Sequence, residues 1–225
     1  ATASPVRVCR LGDTLPNDPD FSPNQWALHT TGQTVTFPNP SNPDENLVLR
    51  GTADADIDAP EAWDVTTGSS SVVVAVIDTG IALNNTQLKP NLWENEDEVP
   101  GDGIDNDGNG YVDDINGWNF VVDSMDVSYD HGHGSFCSGI IGARGNDGQG
   151  IAGINWEVSI MALKSFSSEG TSLDVELAAA IDYATDNGAR IINASWGDYY
   201  YSPVIENAIR RAAEANVLFV TASGN

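Results

Sequence analysis

The run Val72-Val73-Val74-Ala75-Val76-Ile77 narrows the fold more than any other part of the chain. It has strand length, is rich in β-branched residues and is apolar on both faces, so it predicts a strand buried on both sides. It is also far too short to cross a bilayer. The run stops at Asp78-Thr79-Gly80, and strands then alternate with helical stretches. Val158 to Leu163 reads as a strand. Thr171 and Asp174 suggest a capping box for a helix with the stripe Leu173, Leu177, Ile181 and Ala184, ended by Gly188. Arg190 to Ala194 is the next strand. Ser202-Pro203 reads as an N-cap with Pro at the first helical position, and Ile205, Ala208, Ile209 and Ala212 continue the stripe. Val217 to Thr221 reads as the last strand. Such an order predicts βαβ units, hence an α/β fold: a doubly wound parallel sheet with helices on both faces. Residues 1 to about 60 lack this periodicity, and residues 37–44, rich in Pro and Asn, read as a surface loop.

Charge limits the partners. There are 33 acidic side chains against 9 basic ones, a formal charge of -24, yet hydrophobic residues still make up 40%. That apolar share supports a core and separates the chain from disordered acidic polymers. The negative field disfavours nucleic acid and anionic membrane surfaces, and suits hard cations or a salty medium.

In open parallel sheets, ligands sit beyond the carboxyl ends of the strands. That rule selects Asp78, Ser195-Trp196-Gly197 and Ser223-Gly224-Asn225. His131-Gly132-His133-Gly134 is a fourth candidate, because it opens an apolar segment at Phe136 to Ile141. Asp-Thr-Gly alone also marks aspartic proteases, but those are all-β and need a second such aspartate, which is missing here. One histidine could act as a general base oriented by a buried carboxylate. Alternatively His131, His133 and Cys137, with Asp130 adjacent, could form a zinc set, although a helix from Gly134 would turn Cys137 toward the core.

Together these residues resemble the subtilisin-like serine proteases. The resemblance is carried by Asp78 in Val-Ile-Asp-Thr-Gly-Ile, by Gly132-His133-Gly134-Ser135 through Gly139, and by Ala222-Ser223-Gly224-Asn225, in that family's order. Asn17-Asp18-Pro19, Gln25-Trp26 and Ala59 to Trp63 extend the likeness back to about Pro16. It implies that Asp78 orients His133, that His133 rather than His131 is the base, and that the Asn225 amide donates to the oxyanion. It also implies that Ser195, Trp196 and Gly197, with Ala222, Ser223 and Gly224, line a cleft for polypeptide substrates. Phe136 and Gln87 depart from the family pattern, Gln87 at a position used for calcium. The nucleophilic serine is expected beyond Asn225, since Gly170-Thr171-Ser172 precedes the oxyanion Asn and opens a helix. On this reading residues 1–15 are the tail of a pro-segment, which would itself be a partner. Residues 16–225 are then the N-terminal part of a secreted peptidase domain whose sheet is incomplete at its C-terminus.

A further site is expected in Asp105-Asn106-Asp107-Gly108-Asn109-Gly110-Tyr111-Val112-Asp113. Oxygen ligands at positions 1, 3, 5 and 9, the Tyr111 carbonyl at 7 and glycine at 6 have calcium-loop spacing. Asn116 stands at position 12, so an EF-hand proper is not expected. Cys9 and Cys137 are the only cysteines and could pair, and Asn84-Asn85-Thr86 is a glycosylation sequon. The competing readings are a catalytically silent relative or calcium-binding module, and a zinc hydrolase using His131 and His133.

Overall fold

A computed structural model of the chain describes residues 14–39 and 41–224. Asn225, Cys9 and most of the expected pro-segment tail lie outside them. Two compact units are present. One comprises the residues up to Thr67 together with Asn146–Gly150, and the other Gly68–Gly145 with Ile151 onward.

In the first unit, helix α1 (Phe21–Asn24) precedes an antiparallel hairpin of β1 (Thr34–Asn39) and β2 (Asn42–Arg50), followed by α2 (Ala59–Trp63). The hairpin corrects the expected surface loop at 37–44: Phe37 pairs with Leu47 and Pro38 with Asn46. Proline is tolerated because each strand of a two-stranded sheet has one side free of ladder bonds. In the same unit Asp18 is buried, and its carboxylate accepts the N–H groups of Asn146 at 2.6 Å and Asp147 at 3.2 Å.

The second unit is an α/β layer. Its strands are β3 (Gly68–Asp78), β4 (Gly117–Asn119), β5 (Glu157–Lys164), β6 (Ile191–Ala194) and β7 (Leu218–Thr221). They form one sheet in the order β4-β5-β3-β6-β7, and every pairing is parallel. The helices are α3 (His133–Gly142), α4 (Asp174–Asp186) and α5 (Pro203–Glu214). The central strand explains the sequence run. Ala75 and Ile77 face a core shared with Leu177 and Ile181 of α4 and Ala208 and Ala212 of α5. Val74 and Val76 face the opposite core, with Val158 and Ile160 of β5, and Ile141 of α3 packs against it. Each fully buried aliphatic side chain there contributes roughly 1.5–3 kcal/mol. On the outer strand, Leu218 and Val220 share the α3-side face and are 60% and 45% exposed.

The helix ends follow local chemistry. The Ser202 hydroxyl accepts the Ile205 N–H, with Pro203 next in the chain, as expected. The Thr171–Asp174 box is not formed. Helix α4 begins at Asp174, the Glu176 carboxylate accepts the Leu173 N–H at 2.9 Å, and Thr171 is hydrogen-bonded to Ser167 instead. Among the described residues, no helix is long and apolar enough to cross a membrane.

Candidate active site

Strand β3 delivers Asp78 to the carboxyl edge of the sheet, where it is 2% exposed. Helix α3 begins at His133, and the His133 Nδ1 lies 2.9 Å from both Asp78 carboxylate oxygens. A buried carboxylate accepts, so Nδ1 carries the proton and Nε2 is left as the basic nitrogen. Thr79, which sequence reasoning passed over, joins the two elements. Its hydroxyl donates to the His131 carbonyl at 2.7 Å and accepts the Gly134 N–H at 3.1 Å, while its own N–H donates to Asp78 Oδ1 at 2.8 Å. The approach is close enough that a Cβ on Gly134 would stand 2.4 Å from the Gly80 carbonyl oxygen and 3.0 Å from Asp78 Cβ.

Lys164 was also missed. It ends β5 in register with Asp78, is 7% exposed, and its ammonium donates to the Ser128 carbonyl at 3.0 Å and pairs with Asp130 at 2.9 Å. It thereby anchors the segment leading into His131. The sequence signal was a lone lysine closing an apolar strand.

Asp78, His133, Ser195 and Trp196 line a cavity of about 220 Å³. Ser195-Trp196-Gly197 leaves the end of β6, and the Trp196 indole N–H donates to the Ile77 carbonyl at 2.9 Å. Ala222, Ser223 and Gly224 leave the adjacent end of β7 and are exposed, with the Ala222 N–H donating to the Ala194 carbonyl at 3.2 Å. Asn225 falls outside the described residues. Among the described residues no hydroxyl is hydrogen-bonded to His133. Ser195 takes a hydrogen bond from the Asn193 amide, and Ser172 is engaged by Glu176.

Residues 69–225 match the subtilase family. The chain belongs to that family. It is 37% identical over 163 residues to subtilisin-like protease 1 of Plasmodium berghei (strain Anka), covering 72% of this chain and 27% of that protein. It is 30% identical to thermitase of Thermoactinomyces vulgaris, covering 75% of this chain and 52% of that one. The crystal structure of fervidolysin from Fervidobacterium pennivorans, a keratinolytic enzyme related to subtilisin, superposes with a TM-score of 0.59 at 28% identity. That match covers 74% of this chain and 23% of the other. The chain thus spans between about a quarter and a half of these relatives' lengths.

In this subtilase the alternative zinc set of His131, His133 and Cys137 is not brought together among the described residues. The His131 ring instead accepts the His133 N–H at 3.3 Å, and Asp130 pairs with Lys164. Ligand atoms of Asp78, His133 and Cys137 do lie within 4.8 Å of one another. Cys137 is therefore not turned into the core as expected. It lies one turn after His133 on the same helix face, with Sγ 3.9 Å from His133 Nδ1. Burial first, and Asp78 nearby, push its thiol up, away from the thiolate. It faces the nitrogen already held by Asp78 and so is badly placed as a nucleophile.

The acidic loop folds onto its own backbone. Asp105 accepts N–H groups from Gly108, Asn109 and Gly110, and these bonds hold its carboxyl below the usual range. Asn109 donates its amide to Asp107 and Asp114, and its side-chain oxygen accepts the Tyr111 N–H. Asp113 is not brought to this group. Its backbone is left-handed, φ 56°, and its carboxylate accepts the N–H groups of Gly101 and Gly103. Glu98 takes the place instead: oxygens of Glu98, Asp105 and Asp107 lie within 4.8 Å of one another, and Glu98 is 6% exposed. Three converging carboxylates, one of them buried, fit a hard divalent cation. Beneath them the fully buried Asp114 accepts from Asn95 and from the Tyr183 hydroxyl. Burial and that carboxylate push the Tyr183 phenol up, keeping it a donor.

Proposed function

We propose that the chain supplies the acid–base half of a serine endopeptidase. The observation that carries this reading is the two-oxygen contact of buried Asp78 with His133 Nδ1 at the carboxyl edge of a parallel sheet. His133 Nε2 takes the proton of a serine hydroxyl as it attacks the scissile carbonyl and returns it to the leaving amine, while Asp78 stabilises the imidazolium that forms. The serine is assigned to sequence following residue 225 in a longer protein, in line with relatives up to about four times as long as the matched part. Asn225 donates to the oxyanion, and the segments 195–197 and 222–224 pair with extended polypeptide as an added strand. Glu98, Asp105 and Asp107, with the Asn109 and Tyr111 oxygens, are the residues that would hold a structural calcium ion, which would neutralise their mutual repulsion. An extracellular location, where calcium is plentiful, accords with this, and the chain's own pro-segment is a natural occupant of the cleft.

The test is a serine-directed fluorophosphonate on the full-length parent protein. Labelling at a serine beyond residue 225, lost together with peptide hydrolysis in His133→Ala, is expected. Residues 1–225 alone should neither label nor turn over casein. Labelling of Ser172 or Ser195 with turnover would refute the assignment. The acidic loop favours a second reading, a catalytically silent cation-binding module, which full-length protein that binds calcium but never labels would support.

A further inference from the structure

The hairpin β1–β2 lies outside residues 69–225, the part of the chain that matches the subtilase family. Its two edges differ. Just beyond the paired residues, the Gln33 carbonyl accepts the Gly51 N–H at 3.0 Å. Bonded and unbonded pairs alternate along an antiparallel ladder. Val35–Leu49 and Phe37–Leu47 are therefore bonded pairs, whereas Thr34–Arg50, Thr36–Val48 and Pro38–Asn46 turn their backbone groups outward. On β1 the outward row is interrupted by Pro38, which has no N–H to offer, a common guard for a strand edge. On β2 it is continuous. Asn46, Val48 and Arg50 each direct an N–H and a carbonyl outward, all three are exposed, and no described residue accepts those N–H groups.

The face beside this edge is apolar. Val35, Phe37, Leu47 and Leu49 share it, and Leu47 and Leu49 are 37% and 58% exposed. Trp26, Val35, Phe37, Leu49 and Arg50 line a cavity of about 170 Å³. That is below the roughly 300–1,000 Å³ of small-molecule sites, so it suits a single side chain. A two-stranded ribbon is marginal in water, and a third strand on the open edge would cover Leu47 and Leu49. Charge narrows the choice of strand. Arg50 is the only Lys or Arg between Thr14 and Thr67, and at the other end of the edge Asp44 and Glu45 make no ion pair among the described residues.

We propose that the open edge of β2 takes an extended segment of the polypeptide substrate as an added third strand, at a site separate from the catalytic cleft. An extended backbone presents donors and acceptors at the two-residue spacing that this edge offers. Alternate side chains of the segment lie on the Leu47–Leu49 face, with one seated beside Trp26. A Lys or Arg at the end next to Asp44 and Glu45 meets opposite charge. A second copy of this chain, with its formal charge of -24, would meet like charge instead. The site raises the local concentration of unfolded polypeptide without touching the reacting bond.

Calling the strand a substrate rests on the endopeptidase reading, and the experiment separates the two. In full-length parent protein, Val48→Pro removes the central outward N–H and leaves the ladder to β1 intact. Leu49→Lys places a charge in the apolar cavity and leaves the backbone unchanged, and Thr36→Pro makes the proline change on the edge that Pro38 already guards. With reduced, alkylated lysozyme as a basic unfolded substrate, KM should rise about tenfold in Val48→Pro and in Leu49→Lys at constant kcat. That is the size of one lost hydrogen bond with the packing beside it. Thr36→Pro should leave KM unchanged, and all three variants should cleave a four-residue fluorogenic peptide like the parent. A fluorescein-labelled peptide alternating Val and Lys should bind the His133→Ala protein, and should fail to bind when Val48→Pro is added or when its alternate amides are N-methylated. The Val and Glu counterpart should bind at least tenfold more weakly. An unchanged KM in both edge variants, or an equal rise in Thr36→Pro, would overturn the proposal and leave the endopeptidase intact. So would a dimer dissociated by Val48→Pro, which gives the edge to a second copy, or peptide binding that begins only once residues 1–13 are removed, which gives it to the chain itself. No hydrolysis and no fluorophosphonate labelling would overturn the endopeptidase reading, and the peptide titration would still decide whether the edge takes a strand.

Discussion

Asp78 and His133 are 55 residues apart in sequence, and their meeting depends on small groups that carry no chemistry themselves. The Thr79 hydroxyl has one proton and gives it to the His131 carbonyl, so the Gly134 N–H has a defined acceptor. In Thr79→Val that N–H and carbonyl lose their partner in a part-buried site, which costs about 1–3 kcal/mol. Urea unfolding should show a lower midpoint with an unchanged slope. In the full-length protein His133→Ala should lower peptide hydrolysis by about 10³-fold or more, because it removes the base. His131→Ala should lower it only a few fold, since His131 contributes chiefly its backbone carbonyl and a ring that accepts the His133 N–H without touching Asp78. Comparable losses in progress-curve assays of the two variants would remove the assignment of the base to His133. His133 was legible in sequence from the glycines around it. Thr79 and Lys164 were not, because a threonine after a strand and a lysine at its end are ordinary surface choices until burial is known.

At the level of elements, β3, β5 and the stripes of α4 and α5 were readable because their burial is two-sided or helically periodic, and both leave a pattern in sequence. The hairpin β1–β2 left none: Pro38 and two asparagines sit in or beside strands whose outer edges have no ladder to disturb. Glu98 was invisible for another reason. It lies seven residues before Asp105 and reaches the loop only through the turn between them, which no ligand spacing encodes. Caps are the most local of these features and the easiest to measure. Ser202→Ala removes the acceptor for the Ile205 N–H and should lower stability by about 1 kcal/mol, whereas Ser202→Asp should retain it. Denaturant midpoints of both variants against the parent check the pair. Gly134→Ala tests the contact between α3 and β3. With no room for a Cβ beside Gly80, it should separate His133 from Asp78 and reduce activity far more than an exposed helical Gly→Ala change would.

For the molecule as a whole, a formal charge of -24 sets a self-repulsion that salt and divalent cations relieve. Differential scanning calorimetry of full-length protein should show a melting temperature that rises with sodium chloride. It should rise further with calcium at matched ionic strength, since an ion bound only by the folded state stabilises it by mass action. Glu98→Gln should remove most of the calcium increment and little of the sodium one. An increment unchanged by that substitution would place the ion elsewhere. The parallel sheet and its two covered faces followed from the sequence pattern, whereas the strand order and the grouping of Asn146–Gly150 with the residues up to Thr67 did not, because neither is encoded in local periodicity.

The hydroxyl that joins strand to helix has a consequence in time as well as in energy. The Gly134 amide hydrogen is trapped between the two elements for as long as they stay together, and it can meet deuterated solvent only when they part. Its exchange rate is therefore a clock for how often Asp78 and His133 separate, read without substrate and without turnover.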